Sequence, residues 1–514
     1  MLAASRAFRA LASRSAPSTT TAAPAPIGRA AASIARAMAT QANVGGLPVE
    51  VRDGRRWLGC IVWGVGRKWG PDRGGRAGGA GVSGFERHAR ARERARARAL
   101  PDHHHLRPLD PRWGRGRHAQ HPLTPHPLPL SSPSFQVHNP TGAKRVLVTK
   151  PLPGDRWLAL LTGAGARVEV CTSPDTILSV PQIKALIGDQ CDGVIGQLTE
   201  DWGPDLFNAL KAAGGAAFSN YAVGYNNVNV PAATAAGIPV GNTPGVLTET
   251  TAELAAALTL AAARRVPEAD VFMRAGRYHG WLPTLFVGSL LQGKTVGIVG
   301  AGRIGAAYAR MMAEGHKMDI LYYDPYPNTK LEAYVQAYGD LLEAHGEKRI
   351  TIERVASVDA LLPRVDVLSL HCNLDADTRH LINAARLGAM KPTAVLVNAA
   401  RGPVIDEKAL VAHLQANPDF RCGLDVFEDE PAMAPGLAAC PNAVIVPHIA
   451  SASLWTRSGM ATLAAANVAA RLQGAPAWGN PDVLAFVDGP LAAVPKASPS
   501  IVNAKELGIP VVTA

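Results

Sequence analysis

The stretch Lys294–Asp324 constrains the fold of this 514-residue chain more than any other. It runs from a short β-branched segment through the glycine turn Gly-Ala-Gly-Arg-Ile-Gly into an Ala- and Met-rich helical segment and a second apolar strand. In that context Gly300 allows a tight turn, Gly302 lets the backbone approach a pyrophosphate, and Gly305 lets the helix lie close to the strand. Phosphates would then meet the positive end of the helix dipole. The stretch therefore predicts a dinucleotide-binding βαβ unit.

Asp324 closes the second strand of this unit, nineteen residues after Gly305. A carboxylate at this position accepts hydrogen bonds from the adenosine ribose hydroxyls and repels a 2′-phosphate. No arginine follows within 325–328, where it would favour a 2′-phosphate. The pattern favours NAD, used here as NADH, over NADP.

Net charge separates the head of the chain from its body. The chain carries +11 overall, but residues 1–136 hold 22 Lys and Arg against 7 acids, and the remainder holds 30 against 34. The body therefore has no basic balance that would favour nucleic acid as a partner. The six cysteines form no CxxC pair, which predicts reduced thiols and no metal site. No apolar run is long enough to predict a membrane span.

Residues 1–40 have the composition of an organellar transit peptide. They are rich in Ala, Ser and Thr, carry five arginines and contain no acid. Leu2–Arg14 can form a short amphipathic helix with arginines on one side, which favours mitochondrial import over plastid import. The alternative is a disordered tail that carries no address.

Residues 41–136 are predicted to be a disordered head, because most of this Gly-, Arg- and Pro-rich segment lacks helix or strand periodicity. Its arginines with interleaved tryptophans suggest an RNA-binding arm as one hypothesis. The favoured hypothesis for 51–136 is a translated intron. Val codons at 51 begin with GT, Phe135-Gln136 can be encoded as TTTCAG, and residues 127–134 fit a pyrimidine tract.

From Val137 onward, strands alternate with helical segments, which implies parallel βαβ units. The predicted fold class is α/β, with two Rossmann-like doubly wound parallel-sheet domains and the active site in the cleft between them. Residues 137–265 and 451–514 are assigned to a substrate-binding domain, and 266–450 to an NAD-binding domain.

Three further segments of the body are assigned more coarsely. Two long Ala-rich helices, 247–264 and 454–472, are expected to cross between the lobes. The polar loop 220–228 can offer backbone N–H groups to a small anion, or it is an ordinary strand-to-helix connection. The Pro-rich tail from Gly474 is expected to be loosely structured and to carry no chemistry.

Arg401, Glu430 and His448 each come shortly after an apolar strand, at the sheet edge where open parallel sheets bind ligands. A guanidinium holds a planar carboxylate through paired hydrogen bonds, and an imidazole donates a proton to a carbonyl oxygen. A carboxylate beside that imidazole favours its charged form and fixes its tautomer. Taken singly, each residue has a structural alternative: Arg401 fits a helix-capping or salt-bridge arginine, Glu430 one acid of a solvated run, and His448 a core histidine with satisfied hydrogen bonds. Together they are the groups that a reductase of 2-oxo acids needs.

Long motifs then identify a family. VGIVGAGRIG, VNAARGPVIDE, GLDVFEDEP and VPHIASAS occur in this order, and on them the body resembles the D-isomer-specific 2-hydroxyacid dehydrogenases. SNYAVGYNNV, TPGVLTETTAE, GWLPTLFVG and ASPSIVN resemble the hydroxypyruvate reductase (glycerate dehydrogenase) branch of plants and green algae. The resemblance implies NADH-dependent reduction of hydroxypyruvate to D-glycerate in photorespiratory metabolism, with glyoxylate as a second substrate.

The resemblance also implies roles for residues around a small 2-oxo acid. Arg401 orients the substrate carboxylate and carbonyl, and Glu430 partners His448, which is the acid/base. Backbone N–H groups of Val223 and Gly224 bind the substrate carboxylate.

Further roles implied by the resemblance concern the cofactor and a second subunit. Arg303 and Ile304 contact the pyrophosphate, and Asp425 contacts the nicotinamide carboxamide. Trp281 reaches the substrate pocket of a neighbouring subunit. A homodimer is also expected because the long Ala-rich helices and the loop around Trp281 would leave apolar surface exposed in a monomer. Plant members typically end in Ser-Lys-Leu, whereas this chain ends in Val-Thr-Ala, so peroxisomal import by that signal is not expected.

Two alternatives stay open at the level of sequence. One is a glyoxylate reductase of the same family that prefers NADPH, against which Asp324 argues. The other is a binding protein similar to the C-terminal-binding-protein corepressors, in which a dinucleotide controls a dimer that holds peptide partners. The predicted organellar leader does not suit a nuclear role.

Overall fold

Strand segments that are buried on both faces explain why the chain forms two parallel sheets. A computed structural model describes residues 134–173, 177–488 and 494–513, so the predicted transit peptide and the head up to residue 133 lie outside the described residues. Gly193–Gly196, Val367–Leu370 and Val395–Asn398 are buried along their whole length. Such strands must be covered on both faces, as in doubly wound sheets. The predicted α/β class with two parallel-sheet lobes is confirmed.

The first lobe is built on a six-stranded sheet. Its strands are β1 (Phe135–His138), β2 (Lys144–Val148), β3 (Ala166–Cys171), β4 (Gly193–Gly196), β5 (Ala217–Asn220) and β6 (Val240–Gly241). They lie in the order β1-β3-β2-β4-β5-β6, and only β1 runs antiparallel to its neighbour. The connecting helices are α1 (Arg156–Gly163), α2 (Val180–Ile187), α3 (Pro204–Ala212) and α4 (Val230–Ala235).

The second lobe contains the glycine turn at the centre of its sheet. Its strands are β7 (Thr295–Val299), β8 (Asp319–Tyr323), β9 (Ile352–Arg354), β10 (Val367–Leu370), β11 (Val395–Asn398), β12 (Arg421–Leu424) and β13 (Ala443–Ile445). All are parallel, in the order β13-β12-β11-β10-β7-β8-β9. The order reverses between β7 and β10, which is where such sheets bind ligands.

The helices of the second lobe cover both faces of this sheet. They are α5 (Thr248–Ala263), α6 (Val266–Arg274), α7 (Arg303–His316), α8 (Thr329–Ala344), α9 (Val358–Leu361), α10 (Ala384–Ala389) and α11 (Glu407–Ala416). A short 3₁₀ turn, Gly402–Val404, follows β11. A second one, Leu437–Ala439, precedes β13.

The helix α5 belongs to the second lobe, although the sequence assigned residues up to 265 to the substrate-binding domain. Ala252, Ala255 and Leu258 lie in one buried cluster with Val296 and Ile298 of β7. A Cβ on Gly423 of β12 would stand only 2.8 Å from the Leu258 Cβ. The small alanine face and this glycine let the helix lie directly on the sheet, and packing of that kind is not visible in the sequence.

The helix α12 (Leu454–Leu472) returns to the first lobe, as predicted. Every residue from Gly459 to Ala470 is buried, because the helix packs between α1 and the strands β4 and β5. A helix that is apolar or small on all sides must be covered all round. None of the helices in the described part of the chain is long and apolar enough to span a membrane.

The described parts of the tail, 474–488 and 494–513, are better ordered than the sequence predicted. They form α13 (Leu484–Asp488), and β14 (Ala477–Trp478) pairs in parallel with β15 (Val511–Val512). Within 494–513, Asn503 accepts the N–H of Val240 at 2.8 Å and donates to the carbonyl oxygen of Ile238 at 3.0 Å. Proline-rich composition suggested a loose segment, but these side-chain hydrogen bonds to the β6 edge hold it in place.

The folded body also begins earlier than the predicted residue 137. Phe135 and Gln136 belong to β1, paired with Cys171 and Val170 of β3, and Phe135 packs against the core of the first lobe. A four-residue edge strand after a Ser- and Pro-rich stretch gives almost no periodicity, so its first two residues were assigned to the disordered head. Three residues of that head, 134–136, are thus part of the fold.

We propose that residues 51–136 are dispensable, in line with the intron hypothesis, because their deletion joins Val49-Glu50 to Val137. Val49 would then take the place of Phe135, and Glu50 that of the exposed Gln136, so the edge strand keeps its pattern. A variant lacking 51–136 should melt within about 3 °C of the full chain, since Val49 keeps an apolar side chain at the place of Phe135. Replacing Val49 by Asp in that variant should lower the melting temperature, and a deletion variant that fails to fold would contradict the proposal.

Candidate active site

The glycine turn after β7 leaves no room for a side chain at its first and last glycines. Gly300 has a φ of +91°, and a Cβ on it would stand 2.7 Å from the backbone of His371 and Cys372 after β10. A Cβ on Gly305 would overlap the carbonyl oxygen of Gly300, whereas the space around Gly302 is open. The first turn of α7 follows at once, and its N–H groups have no partners within the helix. This cradle fits the pyrophosphate of a dinucleotide.

The carboxylate of Asp324 is fixed by the backbone at the end of β8. It accepts the N–H groups of Ala301 and Tyr326, both at 2.9 Å, and each oxygen keeps a lone pair for a ribose hydroxyl. An arginine lies beside it that the sequence interpretation missed. Arg354 at the end of β9 donates to the carbonyl oxygens of Asp324 and Pro325 at 2.9 and 2.8 Å. Strand pairing brings this cation close, although it is thirty residues away along the chain.

The guanidinium of Arg401 lies between the two lobes. Asn398 fixes its backbone, donating to the Arg401 carbonyl oxygen at 2.9 Å, and Nη1 of Arg401 donates to the carbonyl oxygen of Ala400 at 2.7 Å. Nε donates to Oδ1 of Asn226 in the first lobe at 3.3 Å. Burial lowers the pKa of Arg401, and the charge of Glu430 opposes that shift. An arginine stays cationic in proteins even so.

His448 and Glu430 form a hydrogen-bonded pair at the ends of β12 and β13. Nδ1 of His448 lies 2.9 Å from Oε2 of Glu430, and Oε1 accepts the N–H of Phe427 at 3.1 Å. Burial alone would raise the pKa of Glu430, but the hydrogen bonds from His448 and Phe427 and the charge of Arg401 lower it. An ionised Glu430 at Nδ1 leaves Nε2 as the nitrogen available to a ligand.

Asp425 braces the loop that carries His448. Its carboxylate is fully buried and accepts the N–H groups of Ile449 and Ala450 at 2.6 and 2.9 Å. Its carbonyl oxygen accepts the N–H of His448 at 2.9 Å. Burial raises the pKa of Asp425, and the two backbone donors oppose that shift. Asp425 thus fixes the backbone that carries His448. Its contact with the nicotinamide carboxamide stays a prediction.

A cleft of about 370 Å³ brings loops of both lobes together, within the usual volume of small-molecule sites. Predicted site residues from both lobes line it: Val223, Gly224, Arg303, Ile304, Arg401 and His448. Gly224 meets Arg401 so closely that a Cβ on the glycine would overlap Nη2. Trp281 does not line this cleft and is 79% exposed. In the described residues, no cluster of three or more His, Cys, Asp and Glu side chains is arranged to hold a metal.

Comparison with known proteins identifies the family. Residues 256–450 match the model for the NAD-binding domain of D-isomer specific 2-hydroxyacid dehydrogenases. The chain is 64% identical over 375 residues to a glycerate dehydrogenase of Cucumis sativus, covering 73% of this chain and 98% of that protein. It is 62% identical over 378 residues to the peroxisomal glycerate dehydrogenase HPR of Arabidopsis thaliana, covering 74% and 98%. The chain belongs to the D-isomer specific 2-hydroxyacid dehydrogenases.

One similar solved structure contains a dinucleotide and a small carboxylate. An NADPH-dependent glyoxylate/hydroxypyruvate reductase from Sinorhizobium meliloti, in complex with NADP and malonate, is 32% identical, with a TM-score of 0.51. The match covers 63% of this chain and 92% of that one. Membership in this dehydrogenase family makes the chain an enzyme with a nicotinamide dinucleotide cofactor, and the glycine cradle described above fits that cofactor.

The mitochondrial address predicted for residues 1–40 is wrong in the light of these relatives, because the Arabidopsis protein is described as peroxisomal. An Ala-, Ser- and Arg-rich composition is common to mitochondrial leaders, plastid leaders and unaddressed polar tails. Composition therefore did not select one compartment.

Several polar residues of this dehydrogenase site were not predicted. Asn226 bridges the lobes, donating to the carbonyl oxygen of Leu374 at 3.4 Å while its oxygen accepts from Arg401. His371 lines the cleft, lies 2.9 Å from Oγ of Ser369, and has its pKa lowered to about 3 by burial. His371 directly follows β10, and Asn226 lies in the polar loop after β5. Position after a strand was therefore a usable signal for both residues.

The close approach of Gly224 to Arg401 gives a direct test of the cleft. Gly224→Ala should lower kcat/KM for a 2-oxo acid by more than about 100-fold, because the new methyl group displaces the guanidinium. NADH binding should stay within about twofold, since the glycine turn is untouched. Gly163→Ala is the matched control, because no atom lies near a Cβ at that position of the first lobe. Equal activity of the two variants would contradict this geometry.

Proposed function

We propose that the enzyme reduces the 2-oxo group of hydroxypyruvate to give D-glycerate, with NADH as the preferred reductant and glyoxylate as a second substrate. The names and the identities of the two plant relatives support the substrate. The observation that carries the proposal is that His448, hydrogen-bonded to Glu430, lines the same cleft as Arg401. Photorespiratory metabolism, which the sequence resemblance implied, stays a prediction.

Arg401 and the loop at Gly224 are proposed to hold the substrate carboxylate. The guanidinium offers a planar pair of donors, and it lies half-buried against the glycine across the cleft. Such a charge-assisted contact is strong and fixes the direction of the 2-oxo group. A carboxylate held there presents its neighbouring carbonyl to the same cleft as His448.

His448 is proposed to supply the proton to the carbonyl oxygen through Nε2. Glu430 accepts from Nδ1, fixes the tautomer and stabilises the imidazolium before the proton leaves. When bound, the dinucleotide supplies the hydride. Asp425 keeps the imidazole in place by accepting the backbone N–H groups of His448 and of the two residues that follow it. In the reverse direction the same nitrogen takes the proton of the 2-hydroxyl group.

An assay of NADH oxidation with hydroxypyruvate, glyoxylate, pyruvate or no substrate tests this function. Hydroxypyruvate should give the highest kcat/KM, and His448→Ala should lower kcat by about 10²–10⁴-fold, the usual contribution of a general acid. NADH should still bind to the variant. His345→Ala, at an exposed histidine after α8, is the control. Near-native turnover of His448→Ala would assign the proton to another group.

The preference for NADH is proposed from Asp324, and a second candidate is a glyoxylate reductase that prefers NADPH. Arg354 favours the second candidate, because its guanidinium lies beside Asp324 where it would attract a 2′-phosphate. The NADPH-dependent relative supports it as well. The carboxylate is held firmly by two backbone donors, and its repulsion of a phosphate is therefore expected to dominate.

Removing this carboxylate should change the cofactor preference. Asp324→Ser should raise the NADPH/NADH ratio of kcat/KM by about 10-fold or more, because repulsion is lost while Arg354 remains. Adding Arg354→Ala to this variant should remove part of that gain. An unchanged ratio in Asp324→Ser would contradict the role of the carboxylate.

A homodimer is proposed from apolar side chains between α6 and β7. Trp281 is 79% exposed and Leu290 is 70% exposed, and a monomer would leave this patch in water. Light scattering at micromolar concentration should give the mass of a dimer. Leu290→Asp should shift the population toward monomer, whereas Leu341→Asp on the exposed side of α8 should not. A monomer mass for the unmodified protein would contradict the proposal.

A further inference from the structure

The ASPSIVN motif, residues 497–503, lies along the outer edge of β6, and the proposed function gives it no role. Val502 donates its N–H to the carbonyl oxygen of Val240 at 2.8 Å, and Val240 donates its N–H to Oδ1 of Asn503 at 2.8 Å. An antiparallel bridge joins the same two segments. The motif therefore covers the edge of the first sheet next to the strand end that leads into the cleft.

Ser500 in this motif controls the side chain of Asn242, which follows β6. Oγ of Ser500 lies 2.6 Å from Oδ1 of Asn242, and an amide oxygen only accepts, so the hydroxyl donates. Asn467 of α12 holds both partners, accepting the N–H of Ser500 and donating to the carbonyl oxygen of Asn242, each at 2.9 Å. The amide of Asn242 is thereby oriented with its oxygen toward the tail.

The NH₂ group of Asn242 faces the predicted substrate loop. It donates to the carbonyl oxygen of Val223 at 2.8 Å. In a trans peptide the C=O and the following N–H point in opposite directions, so the N–H of Gly224 points away from Asn242. Within the described chain, the backbone N–H groups of Val223 and Gly224 make no hydrogen bond to protein. Both residues and Asn242 line the cleft.

From this series of contacts we infer that Ser500 is a positioning residue for the substrate carboxylate. Through Asn242 it fixes the Val223-Gly224 peptide, so that the Gly224 N–H is held ready for an anionic ligand beside Arg401. The inference rests on the proposed function, because it takes the ligand to be the carboxylate of a 2-oxo acid. A polar tail segment thus contributes to substrate binding without touching the substrate.

Ser500→Ala tests the inference through KM and kcat separately. Loss of the hydroxyl lets the Asn242 amide rotate, so KM for hydroxypyruvate should rise about 10-fold, whereas kcat should change by less than about threefold. The Kd of NADH and the melting temperature should not change. Ser500→Thr keeps the donor and should restore KM to within about threefold of the unmodified enzyme.

Ser498→Ala is the matched control in the same motif. Ser498 is fully buried, and its hydroxyl has no hydrogen-bond partner among the described residues. The same chemical change there should leave KM and kcat as they are. Equal KM values for the two alanine variants would overturn the inference, as would a KM for Ser500→Thr as high as that for Ser500→Ala.

Binding of oxamate to the enzyme–NADH complex separates this inference from the proposed function. Oxamate carries the carboxylate and carbonyl of a 2-oxo acid and needs no turnover. If no 2-oxo acid is reduced, the proposed function fails, but weaker oxamate binding to Ser500→Ala than to Ser498→Ala still supports the positioning role. Equal oxamate Kd values for these two variants overturn it, whatever the enzyme reduces.

Discussion

The guanidinium of Arg401 is the charge on which the arrangement of the cleft depends. It is half-buried between two lobes, and its donors reach Ala400 on its own lobe and Asn226 on the other. Burial of a cation carries a desolvation cost and lowers the pKa of Arg401. A carboxylate bound beside it would offset that cost. The absence of a side chain at Gly224 leaves the space that the guanidinium occupies.

Around this cation the structure uses asparagine amides in place of further charges. Asn226 connects the lobes, Asn398 fixes the backbone of Arg401, and Asn242 fixes the substrate loop. An amide both donates and accepts, so it can join two backbone segments without adding charge. Each such bond contributes about 1 kcal/mol net, but an unpaired buried partner costs more. The surroundings of Arg401 are thus held by neutral hydrogen bonds, which add no further charge beside the guanidinium.

Local patterns were enough for the parts of the site that lie within one βαβ unit or directly follow a strand. The glycine turn and Asp324 were predicted because one βαβ unit contains both, and Arg401, Glu430 and His448 because strand ends of a parallel sheet meet at one edge. Arg354, Asn242 and Ser500 were not predicted. Each acts on a residue far along the chain, and strand neighbours or a returning tail bring the partners together. The first residues of the fold were missed because an edge strand of four residues has little period to detect.

The sequence by itself determined the α/β class and the dinucleotide turn, because spacing within a strand–turn–helix unit is a local property. It also put forward Arg401, Glu430 and His448 as site residues, because each follows a strand of one parallel sheet. Only the tertiary structure decided that α5 packs on the second lobe, that Arg354 stands beside Asp324, and that Ser500 reaches the substrate loop through Asn242. These relations depend on which strands become neighbours and on how closely alanine and glycine faces pack. Such contacts join segments that share no periodicity, so no window along the chain contains them.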